Sequence, residues 1–425
     1  MTTYKKPVLE IRGLKTQFFL REGTVTALDG IDLTVYENES IGMVGETGCG
    51  KSMTAFSILR LVPHPGRIES GNIFFKESEE VRSRRLRYEA EAQAWYERQP
   101  LSKKKEYFAT YGPRPRDRKG REMRFTRSEV EKMTPPEIAP HKLVMTYLSL
   151  LAKKIPDSDK IGKDAALRAY DLLNKSHDYM RSVRGKKISM IFQDPTTALD
   201  PVFTVGQQLR EVISLHQGIY NRAELDSRVL KILRLVRLAA PETVMKQYPH
   251  ELSGGMKQRV MIALALSCGP SLLIADEPTT ALDVTIQAQV LNLLKEVVRG
   301  VGSTMILITH NLGVVAETCD RICIMYAGRI VEEATAAELF EKPTHPYTAG
   351  LLNAFPKLGE RKDELSVIKG TVPDLMLPFP GCAFVERCER ATDVCRKVRP
   401  RRVEVYPDHF VSCHLFTGGA NDNRV

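Results

Sequence analysis

The chain has 425 residues, of which 43% are hydrophobic and 27% charged, with 62 Lys and Arg against 52 Asp and Glu for a net charge of +10. That length and composition suit a folded protein of one long domain with appendages, or of two domains. No stretch approaches the ~18 uninterrupted apolar residues of a membrane span, so the chain is not expected to be a permease or channel itself. The start, MTTYKKPVLEIRGL, lacks the apolar segment of a secretory signal, and the chain is expected to stay in the cytoplasm, where its eight cysteines are kept reduced and do not form a disulfide framework. The positive charge admits nucleic acid, an anionic nucleotide or the inner face of a membrane and selects none of them.

In chain order, VLEIRGLKTQFF and TVTALDGIDLTVY read as strands with β-branched alternation broken by Gly-Asp-Asn turns. SIGMVG is a short apolar strand that runs into a glycine-rich loop and then a helical pattern, KSMTAFSILRLV, ended by PHPG. IESGNIFF predicts a further edge strand. From residue 78 to 170 the character changes: EVRSRRLRYEAEAQAWYERQPLSKKK is polar and helical, RPRDRKGREM a charged loop, and HKLVMTYLSLLAKKI a short amphipathic helix. Residues 76–135 carry 17 Lys and Arg against 11 Asp and Glu, and Pro115, Pro135, Pro136 and Pro140 break 78–170 into pieces. It reads as an insertion, solvated and on the surface, with Trp95, Tyr96, Tyr107 and Phe108 as candidate anchors and its basic runs as candidates for acidic lipid headgroups. Apolar strands resume at KKISMIFQD. Helical segments follow at VGQQLREVISL and LDSRVLKILRLV, SLLIADEP and TMILIT are continuous apolar strands, and IMYAGRIVEEAT closes the core. Strands alternating with helices imply a mostly parallel sheet covered by helices, an α/β fold. HPYTAGLLNAF predicts one more short helix, and the tail from about 360 reads as a separate small appendage.

Gly45-Glu46-Thr47-Gly48-Cys49-Gly50-Lys51-Ser52 fits the phosphate-loop pattern GxxxxGK[ST] between an apolar strand and a helix, the context that motif requires, and Met53 follows in the helix. The glycines let backbone N–H groups turn in around phosphates, Lys51 is placed to reach the β- and γ-phosphates, and Ser52 to hold Mg²⁺. LLIADEP delivers two carboxylates at a strand end, Asp276 for a Mg²⁺-bound water or the Ser52 hydroxyl and Glu277 to polarise the attacking water. His310, after TMILIT, is a candidate to contact the γ-phosphate and orient Glu277. Gln193, past the strand in MIFQDP, is a candidate Mg²⁺ ligand that senses the γ-phosphate. LSGGMKQR puts Ser253, Gly254 and Gly255 directly before a helix, a second anion cradle. One ATP does not need two cradles from one chain, so a head-to-tail dimer is expected, in which this cradle closes on the nucleotide of the other subunit.

The phosphate loop, Gln193, LSGGMKQR, LLIADEP, TALD at 280–283 and His310 occur in the order of an ATP-binding cassette, and YPHELSGGMKQRVMIALALSCGPSLLIADEPTTALDVTIQAQV resembles the first of the two ATPase subunits of the oligopeptide/dipeptide importers. The resemblance covers roughly 7–77 and 171–415. It implies a P-loop core with an antiparallel β subdomain and a helical signature subdomain, forming a cassette domain over 7–345 interrupted by the insertion 78–170, then a C-terminal region 346–415 and a tail 416–425. It also implies Phe18, with Phe19 as rival, as the adenine-stacking aromatic, Gln193 as the link to the membrane partner, and Asp283 in a loop that communicates across the dimer. The implied assembly pairs this subunit with a second, related ATPase and with two transmembrane permeases, served by an extracytoplasmic substrate-binding protein, and sits peripherally on the cytoplasmic side of the cell membrane. Similar cassettes import oligosaccharides and nickel, so peptide is the expected substrate and those are alternatives. A nucleic-acid-linked cassette ATPase is the rival class. The single phosphate loop and the short, Pro-broken insertion argue against it, and no nucleic acid partner is expected.

Lys51 and Gln193 stand 142 residues apart, far beyond the few tens usual in such a cassette, and the excess is the charged insertion. Cys382, Cys388, Cys395 and Cys413 have five, six and seventeen intervening residues. Clustered thiols in a reducing compartment point to metal, and on residue type alone zinc stands ahead of a cluster although the spacings are wider than CxxC knuckles. The segment GTVPDL…FPGCAFVERCERATDVCRKVRP…HFVSCH resembles the C-terminal region of the same ATPase subunits, where the matching cysteines bind a 4Fe-4S cluster. That resemblance implies a structural 4Fe-4S cluster with zinc as runner-up, His409 and His414 being neighbours and not ligands.

Overall fold

The computed structural model describes residues 6–100, 102–103, 170–280, 282–354, 368–376 and 380–417. In chain order the strands are β1 Pro7–Phe19, β2 Thr24–Tyr36, β3 Ser40–Val44, β4 Gly66–Phe75, β5 Ile188–Ile191, β6 Leu272–Asp276, β7 Thr304–Thr309, β8 Arg321–Tyr326, β9 Arg329–Thr335, β10 Val403–Tyr406 and β11 His409–Val411. The chain divides into two compact units, one of Met1–Val35, Phe56–Lys175 and Asp374–Pro378, the other of Tyr36–Ala55, Ser176–Pro373 and Phe379–Val425.

The first unit is built on a three-stranded sheet in the order β2-β1-β4, with β1 and β4 antiparallel. Leu9, Ile11, Leu14, Leu28, Ile31 and Phe74 are among its buried side chains. The polar helix expected after it is present as Glu79–Glu97. It is not a wholly solvated face. Arg85 is 1% exposed and donates to Glu10 at 2.8 Å and Glu77 at 2.9 Å, with its guanidinium 4.0 Å from the Phe74 ring centroid. Arg82 also reaches Glu10, at 3.0 Å. Burial pushes the Glu10 carboxyl up, but Arg12, Arg85 and Arg82 outweigh it and hold Glu10 at about 2. Two of the arginines read as candidates for lipid headgroups are thus held by carboxylates of their own chain. The charged loop at RPRDRKGREM, the helix at HKLVMTYLSLLAKKI and the aromatics Tyr107 and Phe108 lie outside the described residues.

The second unit carries an eight-stranded sheet, β10-β11-β9-β8-β3-β7-β6-β5. Strands β8, β3, β7, β6 and β5 are parallel to one another, and β9 turns back antiparallel to β8. Every residue of β3, β6, β7 and β8 is buried, the reason these strands read as unbroken apolar runs. The helices Val205–Gln217, Arg222–Leu235 and Gly254–Leu266 pack against one another, started by the N-caps Thr204, Asn221 and Ser253. The cysteine-rich tail is built onto this sheet. Phe410 and Val411 of β11 pair antiparallel with Glu333 and Glu332 of β9, so the region expected as a separate appendage continues the core.

Candidate functional site

Hydrogen bonding to β7 and β8 on either side fixes β3 at the centre of the sheet, and the loop that follows it is shaped by glycine. A Cβ at Gly45 would lie 2.2 Å from the Met325 carbonyl oxygen, and Gly48 has φ +83°, a conformation L side chains avoid. Cys49 is buried, and burial pushes its thiol up; it fills space beneath the loop. The Lys51 ammonium donates to the carbonyls of Gly45 at 2.8 Å and Glu46 at 3.1 Å, so it lies folded back across the loop it is expected to share with phosphate. Thr47 and Gly48 are exposed, and Ser52 and Met53 open the helix Lys51–Ile58.

Three further strand ends converge on the same loop. The Ser52 hydroxyl donates to Asp276 at the end of β6, 3.0 Å away. Asp276 is pushed above the ordinary carboxylate range by burial, which the Ser52 hydrogen bond does not offset. Glu277, the next residue, sits at φ +44°, a backbone conformation uncommon for a residue with a side chain, while its N–H donates to the Ile308 carbonyl of β7. The strain turns its carboxylate out of the sheet, where it accepts from the Thr280 hydroxyl at 2.8 Å and Gln193 Nε2 at 3.2 Å and faces His310 Nδ1 at 3.2 Å. Burial raises Glu277, yet the Thr280 hydroxyl and His310 ring prevail and hold it below the usual range, so it is ionised at neutral pH. Gln193, Glu277 and His310 therefore form one hydrogen-bonded group adjoining Asp276 and Ser52, a group able to bind a polyphosphate with its cation and to hold a water against it.

Other expected residues are placed elsewhere. Ser253 caps the helix Gly254–Leu266, its side chain accepting from Met256 N–H, and Ser253 and Gly254 are exposed. Asp283 is the N-cap of the helix Val284–Gly300, accepting from Ile286 N–H at 3.0 Å. Phe18 belongs to the other unit, where its ring lies against Gly66.

Two residues that hold the phosphate loop escaped the sequence reading. The Tyr347 hydroxyl accepts from Glu46 N–H at 3.1 Å, and Arg387 grips both carboxylate oxygens of Glu46 at 2.8 and 3.1 Å. Tyr347 is fixed from behind: His345 caps its helix, and Glu332 accepts from Thr344 N–H at 2.7 Å and His345 N–H at 2.9 Å. No local pattern announces such contacts, which join residues 301 and 341 positions apart.

Cys382 and Cys388 flank the turn Val385–Arg387, Cys395 lies in the helix Asp393–Lys397, and Cys413 follows β11. Cys382 N–H donates to the Cys395 carbonyl at 2.8 Å, and a Cβ at Gly381 would lie 2.1 Å from that oxygen. Burial pushes Cys413 up to about 11, and the thiols of Cys382, Cys388 and Cys395 push the same way. His409 Nε2 lies 2.8 Å from Glu332, and His414 Nε2 lies 2.8 Å from the Val398 carbonyl. Among the described residues, no group of three or more His, Cys, Asp or Glu side chains is gathered so as to hold a single metal ion, and no described helix is long and apolar enough to cross a membrane.

Residues 28–137 and 145–280 match the ABC transporter family, and residues 331–395 match the family described as oligopeptide/dipeptide transporter, C-terminal region. The chain is 40% identical over 407 residues to the probable peptide ABC transporter ATP-binding protein y4tR of Sinorhizobium fredii, covering 96% of this chain and 94% of that one. It is 36% identical to the oligopeptide transport ATP-binding protein AppD of Bacillus subtilis, covering 96% and 97%. It is 35% identical to the oligopeptide transport ATP-binding protein OppD of Salmonella typhimurium, covering 92% and 89%. The dimeric ATP-binding cassette MJ0796, solved in a post-hydrolysis state with ADP and Pi, shares the fold at a TM-score of 0.50 and 19% identity, covering 77% of this chain and 98% of that one. The chain therefore belongs to the ATP-binding subunits of the oligopeptide/dipeptide ABC transporters, an ATPase that uses ATP with Mg²⁺.

Proposed function

We propose that this subunit powers the import of peptides through two partner permeases by hydrolysing ATP at a site shared with a second, related ATPase. The observation that carries the reading is the group of Glu277, Gln193 and His310 beside Asp276, Ser52 and Lys51. Lys51 leaves the Gly45 and Glu46 carbonyls for the phosphates, whose oxygens are stronger acceptors. Ser52, Asp276 and Gln193 hold the Mg²⁺, which neutralises phosphate charge when bound. Glu277, ionised and held from three sides, orients the attacking water and takes its proton. His310 fixes Glu277 and faces the γ-phosphate. Phe18 is assigned to the adenine and Asp283 to the dimer interface. The cassette runs over 7–345, interrupted at 78–170, and the C-terminal region over 346–415. Peptide cargo rests on the family and on the relatives' names, and the cargo reaches the permeases from an external binding protein without touching this chain.

The four-thiol site holds a 4Fe-4S cluster in this reading. The donor set suits it in kind: four cysteines, with both nearby histidines engaged elsewhere. A single zinc ion needs all its sulfurs at ~2.3 Å, whereas each iron of a cluster takes its own thiolate. The cluster would tie together turns that have little apolar core. Anaerobic purification followed by analysis should give four iron and four sulfide per chain; one zinc and no iron would overturn it. For the ATPase, E277Q in the assembled complex, with the partner's own site disabled, should bind ATP normally and lose turnover. Unchanged turnover would sink the assignment.

A further inference from the structure

Glu46 puts a carboxylate inside the loop that must receive a polyphosphate. Uncompensated, that charge would repel the ligand at the point where the backbone N–H groups are meant to attract it. Among the described residues, the charged group on its oxygens is the Arg387 guanidinium, held in a fork across both. Arg387 is itself tightly built. Its Nε donates to the Lys369 carbonyl at 3.0 Å and Nη2 to the Ile368 carbonyl at 3.3 Å, while the rings of Tyr326 and Phe384 lie 5.7 and 5.9 Å from its Cζ. Its side chain is 7% exposed against 26% for Glu46, so the arginine is the fixed member and the glutamate is drawn to it. Those rings pack with Tyr347, whose hydroxyl takes the Glu46 N–H. Glu46 is thereby held at three points: backbone N–H by Tyr347, carbonyl by Lys51, carboxylate by Arg387.

We propose that Arg387 is a positioning residue for nucleotide binding: from within the cysteine-rich region it neutralises Glu46 and holds it away from the phosphates, so that this region forms part of the ATP site. The arrangement explains how a loop can carry an acidic residue and still serve as an anion cradle. When Lys51 transfers to phosphate, the Glu46 carbonyl keeps the Cys49 N–H at 3.2 Å, and Tyr347 and Arg387 keep the loop in shape. The inference needs only that the loop binds ATP, and stands whichever metal the thiols hold.

The test is a double-substitution cycle in the full-length chain, reading the Kd of a non-hydrolysable ATP analogue with Mg²⁺. R387A leaves Glu46 charged and unpaired and should weaken binding about tenfold; E46Q alone, which removes the charge and the fork together, supplies the reference for the pair. The combined variant should return to within about threefold of the unsubstituted chain, since the charge that did the harm is gone. A structural role for Arg387 predicts no such rescue. Unchanged affinity in R387A, or a double variant as weak as R387A, overturns the proposal. Should R387A not fold, R387K, which keeps the charge but loses the fork, should weaken binding about threefold and again be rescued by E46Q; absence of either effect overturns the proposal equally.

Discussion

Two glycine-rich cradles precede helices in this chain, and they are furnished very differently. The loop Gly45–Ser52 has a buried ammonium, Lys51, an acidic partner for its hydroxyl in Asp276, and Tyr347 and Arg387 bracing Glu46. At Ser253–Gly255 the serine caps its own helix; among the described residues a Cβ at Gly254 would meet Leu282 Cδ2 at 3.7 Å, an ordinary contact, and one at Gly255 would meet Ile286 Cγ2 at 3.1 Å. Gly45 is required by a carbonyl of its own chain, whereas among the described residues no close contact requires Gly254. In the proposed dimer the room beside Gly254 receives the second body. In the proposed reading the first cradle binds within its own chain, and the second completes a site on the partner ATPase.

The largest expected effect is at the first cradle. K51A removes the ammonium that two loop carbonyls hold in reserve for phosphate, and the Kd for MgATP of the isolated chain should rise about a hundredfold, the loss of one or two charge-assisted hydrogen bonds. The same measurement on G254D should show no change. In the complex with its partner ATPase, G254D places a carboxylate where the partner's phosphates would arrive, and turnover should fall about a hundredfold. Asp is well suited to a first helical turn, so folding is not the cause. Weakened ATP binding by isolated G254D would erase the distinction between the cradles.

The sequence made the first cradle, the strand ends at Gln193, Asp276, Glu277 and His310, and the parallel sheet legible, because each rests on a local pattern: a glycine spacing, an apolar run, a polar residue where the run stops. It could not disclose that Glu277 needs a left-handed backbone to face Gln193 and His310, since that follows from its pairing with Ile308 across the sheet. Arg387 was unreadable for a similar reason. Between two cysteines it looks like a charged filler, and its meaning comes from β9 and β11 joining the tail to the sheet. The tail's length and prolines suggested an appendage; backbone pairing at Phe410 and Val411 makes it an edge of the core.

A smaller effect should connect the tail to the first cradle. C388S removes the thiol adjoining Arg387 in the turn Val385–Arg387, and iron content should fall well below four per chain. If the metal site steadies that turn, Kd for the ATP analogue should rise about threefold, less than for R387A because the guanidinium is still present. Loss of iron with unchanged Kd would mean that the carbonyls of Ile368 and Lys369 hold Arg387 unaided, and the two cradles would then differ only through protein contacts.

The smallest expected effect is a stability cost confined to the first cradle. Asp276 is raised above its ordinary value near 4 by burial. A native carboxyl raised in this way binds more protons than its unfolded counterpart between the two pKa values, so its contribution to stability is intact below pH 4 and declines as pH rises toward the native value. D276N does not titrate and keeps a polar group beside Ser52. In the nucleotide-free full-length chain it should therefore gain about 2 °C in Tm at neutral pH, the size that about 1 kcal/mol produces in a domain of a few hundred residues, and the gain should shrink toward zero as pH approaches 4. Adding MgATP should reverse the order, because the carboxylate then has a cation to face and the amide does not. Serine replaced at the other cradle, S253A, should show a loss from the missing helix cap and no such reversal. A D276N chain no more stable than the unsubstituted one at pH 7 would mean that the buried carboxylate already has its compensation in Ser52 and Lys51, and that the first cradle carries no strain awaiting its ligand.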